Sequence, residues 1–176
     1  MNKKLKLWEL ERVTEEEFKI QEKFPIIVVL DDIRSLNNIG SFFRTADAFN
    51  VEQIYLCGIT AVPPHRDIQK TALGATETVN WEYRKSLIDL IHELKAKGYF
   101  ICAIEQTENT VLLQKTDKIK AEKFALVFGN EVNGVAQEAV DLADCVVEIP
   151  QFGTKHSLNV SVCAGVVMWE FAKRYI

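Results

Sequence analysis

Apolar and polar residues alternate along this chain in two rhythms. Short, mainly apolar runs fall at residues 25–30, 53–57, 99–104, 124–128 and 145–149, each of strand length and without the period-two alternation of a sheet that has one wet face. Such runs suit strands covered on both sides in a parallel sheet. Between them lie segments with helical spacing. Ile39, Phe42, Phe43 and Ala46, followed by Phe49 or Asn50, form one apolar stripe after Asn37-Asn38, a pair suited to capping. Leu87, Ile88, Leu90, Ile91 and Leu94 form another, with Gly98 as the residue after the helix. The alternation predicts an α/β fold, a mostly parallel sheet flanked by helices.

Residues 1–24 are charge-rich, and Thr14 followed by Glu15-Glu16-Glu17 predicts a short leading helix. They are read as an N-terminal helical extension, with residues 25–176 forming a single domain. Residues 58–67 make a loop that Pro63-Pro64 stiffens in extended form, and 115–123 a charged surface connection. No internal repeat or linker composition breaks the chain.

Three further stretches carry chemistry. On the first helix, Gly40, Ser41, Arg44 and Asp47 point away from the apolar stripe; an arginine beside a glycine-bared surface can reach a ligand phosphate, and a solvated arginine is the plainer alternative. After the 124–128 strand, Gly129-Asn130-Glu131-Val132-Asn133-Gly134 forms a glycine-bounded turn into a helix expected over 135–142. It lacks the Lys-Ser/Thr of a phosphate loop, and Glu131 there favours a sulfonium, an amine or a ribose hydroxyl over a phosphate. Finally Ile149 leads through Gly153 to Ser157-Leu158-Asn159, expected to begin a helix whose free N–H groups can hold a ligand. That helix is apolar almost all round, with small residues Ser157, Ser161, Ala164 and Gly165, so one side is expected to meet the sheet and the other a second subunit. Glu105-Gln106-Thr107 lie at the carboxyl end of another strand, where open α/β sheets bind ligands. His92 is read as a surface or core residue without a chemical role.

Composition narrows the partners. The 176 residues are 48% hydrophobic, with mean hydropathy −0.02, as in one globular domain. No apolar run approaches a membrane span and no signal peptide opens the chain, so a cytoplasmic protein is expected. Cys57, Cys102, Cys145 and Cys163 have neither CxxC nor metal-ligand spacing, so inert buried thiols and no metal are expected. A net charge of −4 argues against broad nonspecific coating of nucleic acid and leaves room for a local basic patch.

Taken in order, Asn38-x-Gly40-x-x-x-Arg44-Thr45-Ala46, Phe128-Gly129-Asn130-Glu131-x-x-Gly134 and Ile149-Pro150-x-x-Gly153-x-x-x-Ser157-Leu158-Asn159-Val160-Ser161 resemble the three motifs of the SpoU (TrmH-type) branch of the SPOUT RNA methyltransferases. The resemblance runs from about residue 26 to the end. It implies a deep C-terminal trefoil knot, a homodimer built through the C-terminal helix, S-adenosyl-L-methionine as methyl donor, and a ribose 2′-hydroxyl of a structured RNA, tRNA or rRNA, as acceptor. By position the family's cofactor contacts fall on Ile104, Gly129, Ile149, Ser157 and Leu158, mostly through backbone. Its catalytic or substrate-orienting set falls on Asn38, Arg44, Glu131, Ser157 and Asn159. Arg44 would hold the neighbouring phosphate and stabilise charge developing on the oxygen. An RNA phosphate, Ser157 and His156 remain alternatives for the proton acceptor.

Gln151 departs from the methionine usual in the third motif, a change expected to bear on packing. RNA is expected on the dimer surface, with Arg34, Arg44, His65, Arg66, Lys70 and Lys155 as contacts. An RNA-binding or assembly factor that keeps the pocket without transferase activity is the second alternative. A doubly wound nucleotide-binding enzyme is the third, but it calls for a glycine-rich turn after the first strand, and residues 30–34 (LDDIR) offer none.

Overall fold

The structure is a computed structural model that describes residues 2–176. Its named strands are β1 (Phe24–Asp31), β2 (Val51–Cys57), β3 (Trp81–Arg84), β4 (Phe100–Ile104), β5 (Val111–Leu112), β6 (Phe124–Phe128) and β7 (Cys145–Glu148). They form one sheet in the order β3-β2-β1-β6-β4-β7-β5, and every pairing is parallel. The helices are α1 (Glu15–Ile20), α2 (Leu36–Ala48), α3 (Arg66–Ala72), α4 (Leu87–Ala96), α5 (Gln137–Leu142) and α6 (Val160–Ala172). The expected α/β architecture is therefore present, with a sheet parallel throughout.

Residues of each central strand divide between two cores. Ile26, Val28 and Leu30 of β1 and Phe124, Leu126 and Phe128 of β6 pack with Phe42 and Phe43 of α2 and Val167 and Phe171 of α6. On the other face Ile27, Val29, Ala125 and Val127 meet Leu90, Ile91 and Leu94 of α4 and Ala139 of α5. Burial on both faces is why these strands read as continuous apolar runs. The two strands that sequence periodicity misses, β3 and β5, lie at the sheet edges. Neither of them buries a residue fully, so no apolar run announces them.

Several boundaries move for identifiable reasons. Ser35, not Asn37 or Asn38, caps α2, its hydroxyl accepting from the Asn38 N–H at 3.3 Å. The Asn38 side chain is used elsewhere, in the site below. The helix expected from residue 135 begins at Gln137, because the N–H groups of Val135 and Ala136 turn to the carboxylates of Glu105 (3.0 Å) and Asp31 (3.4 Å). The last helix begins at Val160, not at Ser157. Asn159 is its cap and accepts from the N–H groups of Ser161 at 2.9 Å and Val162 at 3.3 Å. Within 115–123, part of the segment is a 3₁₀ helix over Leu113–Lys118 that buries Thr116 completely. Thr14 caps α1 in a reciprocal box with Glu17.

Gly40 needs a different explanation from the one its sequence context suggests. It is buried and bares no surface beside Arg44; a Cβ there would lie 2.1 Å from Thr71 Oγ1 and 2.2 Å from the Ile68 carbonyl oxygen of α3. Close packing of α2 on α3 excludes every side chain at this position. Helix propensity alone favours alanine by about 1 kcal/mol, whereas overpacking against a backbone carbonyl costs about 1–3 kcal/mol. Gly40→Ala is thus expected to lower the urea midpoint of unfolding, and an unchanged or raised midpoint would show that α2 and α3 separate at little cost.

Candidate functional site

Carboxyl ends of β1, β4, β6 and β7 share one edge of the sheet, and the loops that follow three of them enclose a cleft of about 700 Å³. One wall is the 129–134 turn, which the chain makes rigid by backbone means. Asn130 and Gly134 exchange N–H···O bonds of 3.0 and 2.9 Å. The Asn130 amide donates to the Asp32 carbonyl at 2.7 Å, while its oxygen accepts from the N–H groups of Val132 (2.9 Å) and Asn133 (3.1 Å). Gly129 is obligatory here: a Cβ would sit 2.1 Å from the backbone of Gly134 and Val135.

This turn projects Glu131 onto the start of α2. Its carboxylate accepts from the N–H groups of Arg34 and Ser35, both at 3.0 Å, and from the Asn38 side-chain amide at 3.1 Å. Asn38 in turn accepts from the Asn159 amide at 3.2 Å. Partial burial pushes the Glu131 carboxyl up, but the N–H groups of Arg34 and Ser35, with Asn38, outweigh it and hold the group below the usual carboxylate range. A carboxylate at a helix N-terminus also satisfies the dipole.

Of the positions singled out in the sequence, the structure joins Asn38, Glu131 and Asn159 in one hydrogen-bonded chain. Ile104, Gly129, Ile149, Ser157 and Leu158 all line the cleft, together with Glu131, Asn159 and His156. Arg44 stands apart. It is exposed on α2, outside the residues that line the cleft, and about 240° around the helix and about 9 Å along it from Asn38. Arg34, His65, Arg66, Lys70 and Lys155 are exposed as well. His65 also works structurally, its Nδ1 accepting from the Asp67 N–H at 3.2 Å to cap α3.

Sequence reasoning left Glu105 without a role in the site. Its carboxylate accepts from the N–H groups of Val135 (3.0 Å) and Gln106 (2.8 Å), tying the end of β4 to the turn after β6. Gln106 reaches across to the His156 carbonyl at 3.1 Å. An acid at a strand's carboxyl end was the available signal, but the partner that ties it to the site, Val135, is 30 residues away. Glu148, the third acid of the wall, accepts from the Thr110 hydroxyl at 2.9 Å.

The lining therefore contains three glutamates and, among the described residues, neither lysine nor arginine. Each carboxylate is bound by uncharged donors, so their negative charge is not cancelled locally. An anion such as a phosphate is disfavoured inside the cleft. A cationic ligand with polar hydroxyl and amine groups fits it, held by the exposed backbone of the three loops.

The sequence model of the SpoU rRNA Methylase family matches residues 25–169. Among curated proteins, the 23S rRNA (guanosine-2′-O-)-methyltransferase RlmB of Neisseria meningitidis serogroup B is 32% identical over 152 residues, covering 86% of this chain and 60% of that protein. The chain thus spans about three fifths of that relative's length. Among solved structures, the A. aeolicus TrmH/SpoU tRNA modifying enzyme superposes with a TM-score of 0.79 at 28% identity, over 91% of this chain and 79% of that one. An AdoMet-bound rRNA methyltransferase from Sinorhizobium meliloti does so with a TM-score of 0.79 at 27% identity, over 88% of this chain and 58% of that one.

The depressed carboxyl of Glu131 sets a pH dependence. A group lowered in the folded state contributes stability that is present above its unfolded value, about 4.3, and lost as pH falls through the folded one. Glu131→Gln is expected to lose on the order of 0.5–1 kcal/mol at pH 7, a screened value for an exposed carboxylate at a helix terminus. Denaturation curves of the two proteins should converge as the pH is lowered below about 4. A gap that persists at low pH would mean that packing, not charge, is what the substitution removes.

Proposed function

The chain belongs to the SpoU rRNA methylase family, and on that premise we propose that it transfers a methyl group from S-adenosylmethionine to a ribose 2′-hydroxyl of a tRNA or rRNA. The observation that carries this is the acidic cleft, walled by residues 104–107, the 129–134 turn and the 149–159 stretch, in which Glu131 and Asn159 of the lining are joined by hydrogen bonds through Asn38. Three carboxylates with no lysine or arginine beside them in the lining suit a ligand that is positively charged at sulfur and amine, and the lining backbone at Ile104, Gly129, Ile149, Ser157 and Leu158 offers donors and acceptors for its neutral parts. When bound, S-adenosylmethionine supplies an electrophilic methyl group on a sulfonium.

The chain's own residues then have to position a weak nucleophile and relieve it of a proton. Glu131 fixes the entry of α2 by holding two backbone N–H groups, and Asn38 and Asn159 keep the start of α6 registered against it. Ser157 and His156 both stand in the wall, so either can receive or relay the hydroxyl proton, as can an RNA phosphate. Arg44 binds the phosphate next to the reacting ribose, with a planar fork that a lysine does not reproduce.

Because Arg44 lies on the solvent side of α2, away from the cleft of its own chain, the proposal includes a homodimer in which α2 and α6 meet a second copy. Supporting this, Val162, Val166 and Trp169 of α6 are exposed, with Trp169 51% accessible. Trp169 also packs against Phe49 just past α2, ring centroids 5.8 Å apart, so the two helices present one continuous face. RNA would follow the exposed cations Arg34, Arg66, Lys70 and Lys155 toward that face. The deep knot of residues beyond β6 is part of the same proposal; insertion of β6 between β1 and β4, with β7 beyond β4, supports it. A cytoplasmic site of action follows from the RNA substrate. No helix among the described residues is long and apolar enough to cross a membrane.

Two measurements bear on this. Arg44→Ala is expected to reduce transfer of labelled methyl from S-adenosylmethionine to RNA by about 10²–10³-fold, with cofactor affinity nearly unchanged. Normal turnover would remove Arg44 from the mechanism, and cofactor binding without any transfer by the unaltered protein would favour an RNA-binding factor. Val166→Lys is expected to shift sedimentation from dimer to monomer and to abolish transfer; a dimer that persists would place the interface elsewhere.

A further inference from the structure

Cysteines that look isolated along the chain do not remain so in the fold. Cys102 of β4 and Cys145 of β7 are direct register partners on adjacent parallel strands. Neighbouring strands lie about 4.8 Å apart, inside the Cα separation of about 4.4–6.8 Å that a disulfide spans. Both side chains point to the same face of the sheet, into the core that α6 covers, and their Sγ atoms are 3.6 Å apart. Formation of a bond needs the sulfurs to close to about 2.05 Å, a movement that side-chain rotation and small strand shifts can supply. Cys57 and Cys163 have no sulfur neighbour of this kind among the described residues.

The two thiols are also unequal. Cys102 is fully buried, whereas Cys145 is partly open to solvent. Contact with the Cys102 sulfur holds the Cys145 thiol below its ordinary range, with Arg174 helping and burial and Asp144 opposing. The same contact, with burial, pushes Cys102 up. Burial likewise pushes the other two thiols up, Cys57 to about 12 and Cys163 to about 11. Cys145, the more accessible of the two, is the thiol a solute meets first, and Cys102 sits 3.6 Å away in place to resolve it.

We propose that Cys102 and Cys145 form a site of reversible oxidation, closing to an intrachain disulfide when a peroxide reaches Cys145. The Cys145 thiolate attacks one peroxide oxygen, the O–O bond breaks, and the sulfur becomes a sulfenic acid as hydroxide leaves. The Cys102 sulfur then attacks the sulfenic sulfur and its S–H proton joins the departing hydroxyl as water. Two thiols and one hydrogen peroxide give one disulfide and two waters, and a dithiol reductant reverses the change. The cross-link joins two strands whose carboxyl-terminal residues, Ile104 of β4 and Val147 and Glu148 of β7, line the cleft. It stands independently of the methyl-transfer proposal.

The test treats the reduced, full-length protein with hydrogen peroxide, blocks remaining thiols, and maps peptides without reduction. Two of the four cysteines are expected to become unavailable to the blocking reagent. A peptide pair linked through Cys102 and Cys145 should appear about 2 Da lighter than the reduced sum, and dithiothreitol should restore all the thiols. Cys102→Ser is expected to leave a sulfenic acid on Cys145 that a dione probe captures, and Cys145→Ser to remove both products, with circular dichroism verifying that each variant is folded. Four thiols still free after peroxide, a link through Cys57 or Cys163, a link between chains, or a link that forms only in urea would each overturn the proposal.

Discussion

One carboxylate holds the site together. Glu131 leaves a turn after the sixth strand and closes on the first two free N–H groups before α2, nearly a hundred residues earlier in the chain. The Ser35 N–H is among the donors a helix cannot satisfy internally, so the helix start is incomplete without the turn. Asn38 extends the link to Asn159, which is itself the cap of α6. Two helix N-termini and one loop thereby share a single chain of hydrogen bonds.

The sheet makes this arrangement possible. Parallel pairing brings the carboxyl ends of β1, β4, β6 and β7 to one edge, the edge where open α/β sheets bind ligands. The acids that end β4 and β7, Glu105 and Glu148, then converge with Glu131 although they are scattered through the sequence. Their partners are backbone N–H groups, a hydroxyl and an amide, which hold the carboxylates in place and leave their charge to act on the cleft. Glycine has the complementary task. At 129 and at 40 it admits backbone where any side chain would collide, once to form the turn and once to seat α2 on α3. The SpoU family membership of the chain is consistent with such positions lying inside its motifs.

Much of this was legible in the residues. Apolar runs identified five strands; β1, β2, β4 and β6 among them are buried on both faces, while β7 buries only Val147, and the stripe Ile39, Phe42, Phe43 and Ala46 identified the face of α2 because only a 3.6-residue repeat buries all four. The three motif stretches could be recognised because each carries its residues at fixed local spacing, and all five positions expected to touch a cofactor do line one cleft. Edge strands escaped notice, since an edge neither needs nor displays a full apolar run. The start of α5 shifted by two residues because distant carboxylates took the N–H groups of Val135 and Ala136, whereas α2 and α6 start at local caps, Ser35 and Asn159, other than the residues expected.

What the sequence by itself determined, then, is whatever depends on neighbours within a few residues: strand and helix type, the apolar faces, the cap at Thr14, and the motif residues. Tertiary structure alone decided the long-range partnerships, because nothing local distinguishes a carboxylate that will meet a helix start ninety residues away from one that will meet water. It gave Glu105 its place, assigned Gly40 to helix packing, set Arg44 outside its own chain's cleft, and put two cysteines 43 residues apart in contact across adjacent strands.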